Sequence, residues 1–289
     1  APEGDSMSKL DMLVSAINKN FKEDIASRGI PDRHFEKIKF SSPLINYMTY
    51  GGIPRGRIIE FAGEENGGKT TTALDIVANA QKLFENEYDT EYKSLHEKKE
   101  KLSKEESTRL NYLKERGVKK VVYCDCENTL DVTWAGKLGV NTEEMILLKP
   151  MSQTAEEIFE MLLQMIDTDE VGLIVIDSLG VMVSQQAYEK EMTEKTYGGI
   201  AAALTLFSKK AEMACSKHDC TIIGINQVRE DMSGFGRIIT TGGKGWKHNC
   251  SLRLIFRKGD LLDEGNNSIK KSSSNPAGNL VEVAIEKTK

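Results

Sequence analysis

One stretch of glycine, lysine and threonine has the spacing of a loop that binds the phosphates of a nucleotide. Residues 63–70 read Gly-Glu-Glu-Asn-Gly-Gly-Lys-Thr, the pattern G-x-x-x-x-G-K-T. In such a loop backbone N–H groups surround the polyphosphate, the lysine reaches the β- and γ-phosphates, and the threonine hydroxyl binds Mg²⁺. We therefore predict binding of ATP or GTP together with Mg²⁺. The expected nucleotide contacts are Gly63, Glu64, Glu65, Asn66, Gly67, Gly68, Lys69, Thr70 and Thr71.

The residues around this loop predict the elements that would hold it. Residues 57–62 read as a short buried strand that runs into the glycines, and residues 71–78 open a helix. The N-terminus of that helix adds positive potential where the phosphates would bind. An incidental glycine-rich turn is the alternative, and the strand–loop–helix frame argues against it.

An aspartate ends a second predicted strand. Residues 173–177 read Leu-Ile-Val-Ile-Asp, an apolar strand followed by the carboxylate typical of the Mg²⁺ site in phosphate-loop enzymes. Ligands of an open parallel sheet bind beyond the carboxyl ends of its strands. We therefore expect the metal site to consist of Thr70 and Asp177. A helix cap is the alternative role for Asp177.

Two further strand ends carry candidates for catalysis. Glu127 lies just beyond a strand that ends at Asp125, and a carboxylate near the γ-phosphate can orient and deprotonate the attacking water. A helix cap is again the alternative. Asn226 and Gln227 end the strand at 221–226, and an amide there can bind the γ-phosphate. The predicted catalytic residues are Glu127, Lys69 and Gln227.

Apolar strands and amphipathic helices alternate from about residue 41 onward. This order predicts an α/β fold with a mostly parallel central sheet flanked by helices. The predicted strands span 121–125, 173–177, 221–226, 251–257 and 280–286, and the predicted helices span 155–166 and 200–217. Before them, residues 7–27 carry the apolar stripe of a helix that packs either on a neighbouring subunit or on its own core.

A highly charged segment at 85–116 interrupts this alternation. Apolar residues recur at helical spacing from Phe84 to Leu95, and Ser103-Lys104-Glu105-Glu106 is a capping-box pattern that starts a second helix. We predict a helical hairpin inserted in the core. Its mixed charges indicate a solvated surface, and a docking site for a protein partner is the alternative.

Composition restricts the class of protein. No apolar run reaches the roughly 20 residues of a membrane span, so we expect a cytoplasmic protein without membrane contact. The five cysteines include no C-x-x-C pair, which argues against a disulfide framework or a zinc site. Because the formal net charge is −5, any nucleic-acid binding must come from local basic patches.

Several motifs in one order resemble the bacterial RecA recombinases. Besides residues 63–71 and 173–178, they are Asp125-Cys126-Glu127-Asn128-Thr129-Leu130-Asp131, Ile225-Asn226-Gln227-Val228-Arg229 and Thr240-Thr241-Gly242-Gly243. Residues 52–60 and 135–140 extend the match. The resemblance implies a RecA-type ATPase that forms helical filaments on single-stranded DNA, pairs it with homologous double-stranded DNA, and acts in recombination, repair and the SOS response.

The resemblance also assigns roles by position. Glu127 matches the family's catalytic glutamate and Gln227 its γ-phosphate sensor, while Asp131 and Trp134 fall where the family contacts adenine. Lys287 and Lys289 match a lysine pair that reaches a neighbouring subunit's ATP. The DNA-binding loops correspond to 191–198 and 229–247. The predicted DNA contacts are Arg229, Arg237, Thr241, Gly242, Gly243, Lys244 and Lys247.

The chain departs from the family pattern in a few places. Asp231 and Ala202 stand where the family has basic residues, and His248 replaces an interface phenylalanine. The hairpin is foreign to the common bacterial form, and the family's C-terminal domain is not represented, as in a truncated core of bacterial or phage origin. We divide the chain into a tag remnant, polymerisation helix and linker at 1–40 and an ATPase core at 41–289. A ring-forming motor or nucleotide-switched regulator on the same core is the alternative function.

Overall fold

The computed structural model describes residues 8–22, 24–27, 36–190, 199–230, 238–269 and 275–289. These fall into two units, residues 1–36 and residues 37–289. The first unit contains helix α1, Lys9–Phe21, whose N-terminus is capped by the Ser8 side chain. The helix predicted to reach residue 27 ends earlier, because Lys22 adopts a left-handed conformation with φ of 55°.

The second unit contains the remaining helices and strands. The helices are α2 (Pro43–Met48), α3 (Lys69–His96), α4 (Lys104–Arg116), α5 (Val132–Lys137), α6 (Ala155–Asp167), α7 (Gln185–Tyr188), α8 (Ala201–His218) and α9 (Gly243–Asn249). The strands are β1 (Ile58–Gly63), β2 (Lys120–Asp125), β3 (Ile146–Leu148), β4 (Val171–Asp177), β5 (Thr221–Glu230), β6 (Ile238–Thr240), β7 (Leu252–Leu262), β8 (Ser268–Ile269) and β9 (Gly278–Thr288).

The described strands form one sheet in the order β3-β2-β4-β5-β1-β7-β8, with β6 beside β5 and β9 beside β7. The run from β3 to β7 is parallel, whereas β6, β8 and β9 are antiparallel to their partners. A parallel sheet needs both faces covered. Here α3 and α5 contribute to the apolar cluster on one face, and α6, α8 and α9 to the cluster on the other. The predicted α/β fold with a mostly parallel central sheet is confirmed.

The charged insertion continues an existing helix. Helix α3 runs without a break from the phosphate loop to His96, and α4 returns beside it. The predicted capping box is confirmed, since Ser103 Oγ accepts from Glu106 N–H and the Glu106 carboxylate accepts from Ser103 N–H. Arg109 spans the two helices with a bidentate ion pair to Glu91 at 2.6 and 3.0 Å.

In the part of the chain that the structure describes, no helix is long and apolar enough to cross a membrane. Helix α3 has the length, but its outer half is charged.

A glycine in β5 sets the distance between the sheet and α9. A Cβ atom added at Gly224 would lie 2.7 Å from Trp246 Cζ2 and 3.0 Å from Leu179 Cδ1, and Trp246 is fully buried. A Cβ atom added at Gly136 in α5 would have no atom of the described residues within 4 Å.

We expect Gly224→Ala to lower the free energy of unfolding by about 1–3 kcal/mol, because a close-packed layer must shift to admit the methyl group. Gly136→Ala is the matched control and should leave it unchanged or raise it by up to about 1 kcal/mol, because alanine favours a helix over glycine. Urea unfolding followed by circular dichroism measures both. Equal unfolding midpoints for the two variants would contradict the packing argument.

Candidate nucleotide and DNA site

Two glycines give the phosphate loop its shape. Gly68 has φ of 89° and forms the N-cap of α3, a left-handed conformation that suits glycine. Gly63 ends β1 against β7, and a Cβ there would lie 2.2 Å from the carbonyl oxygen of Phe256. The loop therefore turns directly from the sheet into the N-terminus of α3, whose unpaired N–H groups favour an anion.

Lys69 folds back over this loop. Its Nζ donates to the carbonyl oxygen of Gly63 at 2.8 Å and also to that of Glu64. Burial lowers the pKa of the Lys69 ammonium, while the nearby Asp177 and Glu127 carboxylates oppose that shift. The lysine is thus held at the loop by groups that a phosphate could replace.

Thr70, Asp177 and Tyr123 meet beneath the loop. Asp177 Oδ2 accepts from Thr70 Oγ1 at 2.9 Å and from Tyr123 Oη at 2.6 Å. Burial raises the pKa of Asp177, and the hydrogen bonds from Tyr123 and Thr70 oppose that shift. Burial, followed by the charge of Asp177, raises the pKa of Tyr123, so the phenol keeps its proton and donates it. The structure thus brings together the two residues predicted to form the metal site.

The donor set here fits Mg²⁺. A hydroxyl and a carboxylate are hard oxygen donors, and Mg²⁺ in nucleotide sites binds one or two protein oxygens, phosphate oxygens and water. The described residues hold no cluster of three or more His, Cys, Asp or Glu side chains that could bind a metal by themselves. With Thr70 and Asp177 as protein ligands, Mg²⁺ would take its other ligands from phosphate oxygens and water.

Glu127 lies just beyond the ends of β2 and β4, next to Gln227 within β5. Its Oε1 accepts from Ser178 Oγ at 2.6 Å and lies 3.4 Å from Gln227 Nε2. The strand register explains this meeting, since Asp125 pairs with Asp177 in adjacent strands. Asp125 itself has a different task, because its carboxylate accepts from the N–H groups of Thr129 and Leu130 and closes the turn after β2.

These groups line one cavity of about 480 Å³. Its lining residues are Glu65, Asn66, Gly67, Gly68, Lys69, Thr70, Thr71, Glu127, Thr129, Asp177, Ser178, Ile225, Gln227 and Asn279. Thr129, Ser178, Ile225 and Asn279 were not predicted as site residues. Ser178 follows the strand-end aspartate directly, a position that could have suggested it, whereas Asn279 comes from β9 and carries no local signal.

The predicted adenine contacts lie outside this lining. Asp131 caps α5 by accepting from the N–H of Trp134 at 3.0 Å, which is the role of an ordinary N-cap. The Trp134 side chain is 44% exposed. The structure therefore gives Asp131 a structural function and leaves the indole ring available at the surface.

The predicted lysine pair also lies away from the cavity of its own chain. Lys287 Nζ donates to the carbonyl oxygens of Lys247 and His248 at 2.8 and 2.7 Å, and Lys289 Nζ donates to that of His248 at 3.0 Å. Both ammonium groups thereby stabilise the C-terminus of α9. Desolvation and the charge of Lys289 lower the pKa of Lys287.

The predicted DNA contacts are only partly described. Arg229 is exposed near the end of β5 and pairs with Ile239 in β6. Gly242 is the N-cap of α9 with φ of 107°, and a Cβ there would meet Leu204, so this glycine serves the fold itself. Thr241 is half-buried, whereas Gly243 and Lys244 are exposed, and Lys247 lies half-buried in α9. The segments 191–198 and 231–237, with Asp231 and Arg237, lie outside the described residues.

A buried carboxylate that was not predicted links these parts. Glu60 in β1 is fully buried and accepts from Asn226 Nδ2 at 3.2 Å, from Trp246 Nε1 and from Arg253 Nε at 2.9 Å. Asn226 Nδ2 also donates to the carbonyl oxygen of Thr241 at 2.7 Å. Glu60 therefore joins the strand that carries Gln227 to the start of α9. A glutamate within an apolar strand was the signal available in the sequence.

Comparison with known proteins shows which family this sequence is similar to. The model of the RecA N-terminal domain family matches residues 8–89 and 109–285. A RecA protein of Ureaplasma parvum is 31% identical over 271 residues, which cover 92% of this chain and 70% of the relative. One of Bifidobacterium longum is 30% identical over 285 residues, covering 97% and 61%.

A crystal structure of the RadB recombinase has a similar fold. Its TM-score is 0.54 at 19% identity, and the match covers 87% of this chain and 90% of that one. At this identity the likeness concerns the fold alone. Family membership rests on the sequence match, which spans most of the chain and leaves out residues 90–108 within the helical hairpin. On these grounds the chain belongs to the RecA family.

Proposed function

We propose that this protein is an ATP-dependent recombinase that assembles into helical filaments on single-stranded DNA and pairs that strand with homologous double-stranded DNA. The observation that supports it best is the approach of Gln227 Nε2 to Glu127 Oε1 at 3.4 Å. Gln227 belongs to β5, which continues to Arg229 at the start of the predicted DNA-binding loop 229–247. One strand thus connects a candidate catalytic carboxylate with a candidate DNA contact.

The charged and hydroxyl-bearing residues at the centre of the cavity have defined tasks in this proposal. Lys69 leaves the loop carbonyls for the phosphates, and the N–H groups at the start of α3 hold them in place. Glu127, oriented by Ser178, positions and deprotonates the attacking water. Mg²⁺, held through Thr70 and Asp177, would neutralise charge that develops on the phosphates. Lys69, Glu127 and Asp177 would then be in position before the reaction begins, so no rearrangement of these charges is needed in the transition state.

The connection to DNA would pass through the amide residues of β5. A γ-phosphate that engages Gln227 competes with its contact to Glu127, and the neighbouring Asn226 holds the carbonyl of Thr241. Nucleotide and DNA would therefore both change the conformation at the end of β5. By thermodynamic linkage, ATP would then strengthen DNA binding as much as DNA strengthens ATP binding. Arg229, Arg237, Lys244 and Lys247 would contact DNA phosphates, with Thr241, Gly242 and Gly243 allowing close approach of the backbone.

The filament would complete the nucleotide site. Lys287 and Lys289 lie outside the cavity lining, so we propose that they reach the ATP of an adjacent subunit, with Trp134 near the base. A head-to-tail contact between identical subunits that does not close produces an open helix. A closed ring would support the alternative of a motor or nucleotide-switched regulator.

We expect single-stranded DNA to increase ATP hydrolysis strongly, because filament assembly delivers the lysine pair. Phosphate release with and without DNA measures this, and Lys69→Ala provides the blank because it removes the phosphate-binding ammonium. An ATP hydrolysis rate that does not change with DNA, together with rings rather than helical filaments in electron micrographs, would contradict the recombinase proposal. It would favour the ring-forming motor or nucleotide-switched regulator.

We expect Glu127→Gln to reduce hydrolysis by about 10²–10⁴-fold, because the amide cannot accept a proton from water. Binding of ATP and of DNA should persist, since the amide keeps the size of the side chain. Fluorescence anisotropy of labelled DNA in the presence of ATP measures the second point. Glu143→Gln, at an exposed glutamate, is the control and should behave as the unmodified protein. Loss of DNA binding together with hydrolysis would refute the assigned role.

The lysine pair can be tested by mixing subunits. Lys287→Ala/Lys289→Ala and Glu127→Gln should each abolish DNA-stimulated hydrolysis when alone. In an equal mixture, about one quarter of head-to-tail interfaces would combine an intact cavity with intact lysines, so hydrolysis should reappear. Lys258→Ala, at an exposed lysine of β7, controls for loss of charge. A mixture without activity would indicate that the lysines act only on α9 of their own chain.

A further inference from the structure

Tyr123 is a polar residue that the proposed chemistry leaves without a role. It is fully buried in β2, whose residues Val121, Val122 and Cys124 are also buried. A phenylalanine would fill the same volume in such a strand without bringing a hydroxyl that needs a partner. The hydroxyl of Tyr123 finds its partner in the adjacent strand β4, where it donates to Asp177 Oδ2 at 2.6 Å.

The same carboxylate oxygen receives a second hydroxyl. Thr70 Oγ1 donates to Asp177 Oδ2 at 2.9 Å from the start of α3. In the described part of the chain, both side-chain hydrogen bonds of Asp177 fall on this one oxygen. Two donors from different elements restrict rotation of the carboxylate about its χ2 angle. A hydrogen bond to an ionised group is also stronger than one between neutral groups.

Nucleotide binding should break the hydrogen bond from Thr70 to Asp177 but leave the hydrogen bond from Tyr123 in place. Thr70 is the residue of the phosphate loop whose hydroxyl is expected to turn towards Mg²⁺. Tyr123 lies in the sheet core, where its ring is closely packed, and it can hold Asp177 while Thr70 changes partner. The geometry gives Tyr123 the position of a fixed support behind a carboxylate that must face a metal.

We propose that Tyr123 is a positioning residue that orients Asp177 for Mg²⁺ bound with the nucleotide. This inference rests on the proposed ATP site and adds a residue that the phosphate-loop pattern does not contain. Groups that orient metal ligands typically change metal affinity by about 10–100-fold when they are removed. The effect should appear in binding as well as in hydrolysis, because the orientation precedes any reaction.

The test is Tyr123→Phe, which removes only the hydroxyl oxygen. Binding of a fluorescent, non-hydrolysable ATP analogue is titrated with Mg²⁺ at fixed nucleotide concentration. We expect the half-saturating Mg²⁺ concentration to rise about tenfold. Binding of the same analogue in EDTA should not change, because it does not involve the metal. A role confined to packing would alter the urea midpoint and leave the Mg²⁺ dependence as it was, and that result would overturn the proposal.

Tyr112→Phe is the matched control. The hydroxyl of Tyr112 donates to Asp169 beside the helical hairpin, so this variant makes the same chemical change to another tyrosine–aspartate pair. Tyr112 is absent from the lining of the nucleotide cavity, and its loss should leave the Mg²⁺ titration unchanged. An equal shift in both variants would mean a general loss of stability and would also overturn the proposal.

A double-mutant cycle with Asp177→Asn separates this inference from the proposed function. Once the carboxylate is gone, Tyr123→Phe should cause no further change in Mg²⁺ dependence, because the two residues act as one unit. Additive changes would refute the positioning role while leaving the ATP site intact. If the unmodified protein fails to bind the analogue with Mg²⁺, the proposed function itself fails.

Discussion

The buried carboxylate of Glu60 is the interaction on which the arrangement of the site depends. An unpaired ion in a protein interior costs several kcal/mol, and this one lies in the middle of the parallel sheet. Its hydrogen bonds come from β5, α9 and β7, and Arg253 also forms an ion pair with Glu286 in β9 at 2.5 Å. These elements must therefore assemble together for the charge to be stabilised, which fixes β5 and α9 relative to the phosphate loop on β1.

A consequence is that the candidate nucleotide and DNA residues share one support. Asn226 lies next to Gln227 and donates to both Glu60 and the Thr241 carbonyl. Its own Oδ1 is buried and has no hydrogen-bond partner among the described residues. A buried acceptor without a hydrogen bond raises the free energy of the folded state. A second hydrogen-bond pattern around Asn226 would therefore differ little in free energy from the one described.

How much could be predicted from the sequence depended on the range of each interaction. The phosphate loop, the strand-end carboxylates and the alternation of strands and helices are local patterns, and the structure places them in one α/β sheet. Partners of Glu60 lie 166 to 193 residues away, so no local pattern indicates them. Asp131 shows that a local pattern can also be ambiguous. An aspartate before a short helix is compatible with an N-cap and with a ligand contact, and in this structure it caps α5.

The outer half of α3 differs from the inner half because it contains almost no buried residues. Its buried residues end at Phe84, so the last turns of this 28-residue helix contribute nothing to the sheet's core. Whole helical turns can be gained or lost at the far end of such a helix without altering the register of any strand. The family model leaves out residues 90–108, so the tip of the hairpin is the part that the match does not include, while the loop at the other end of the same helix lies within the matched residues.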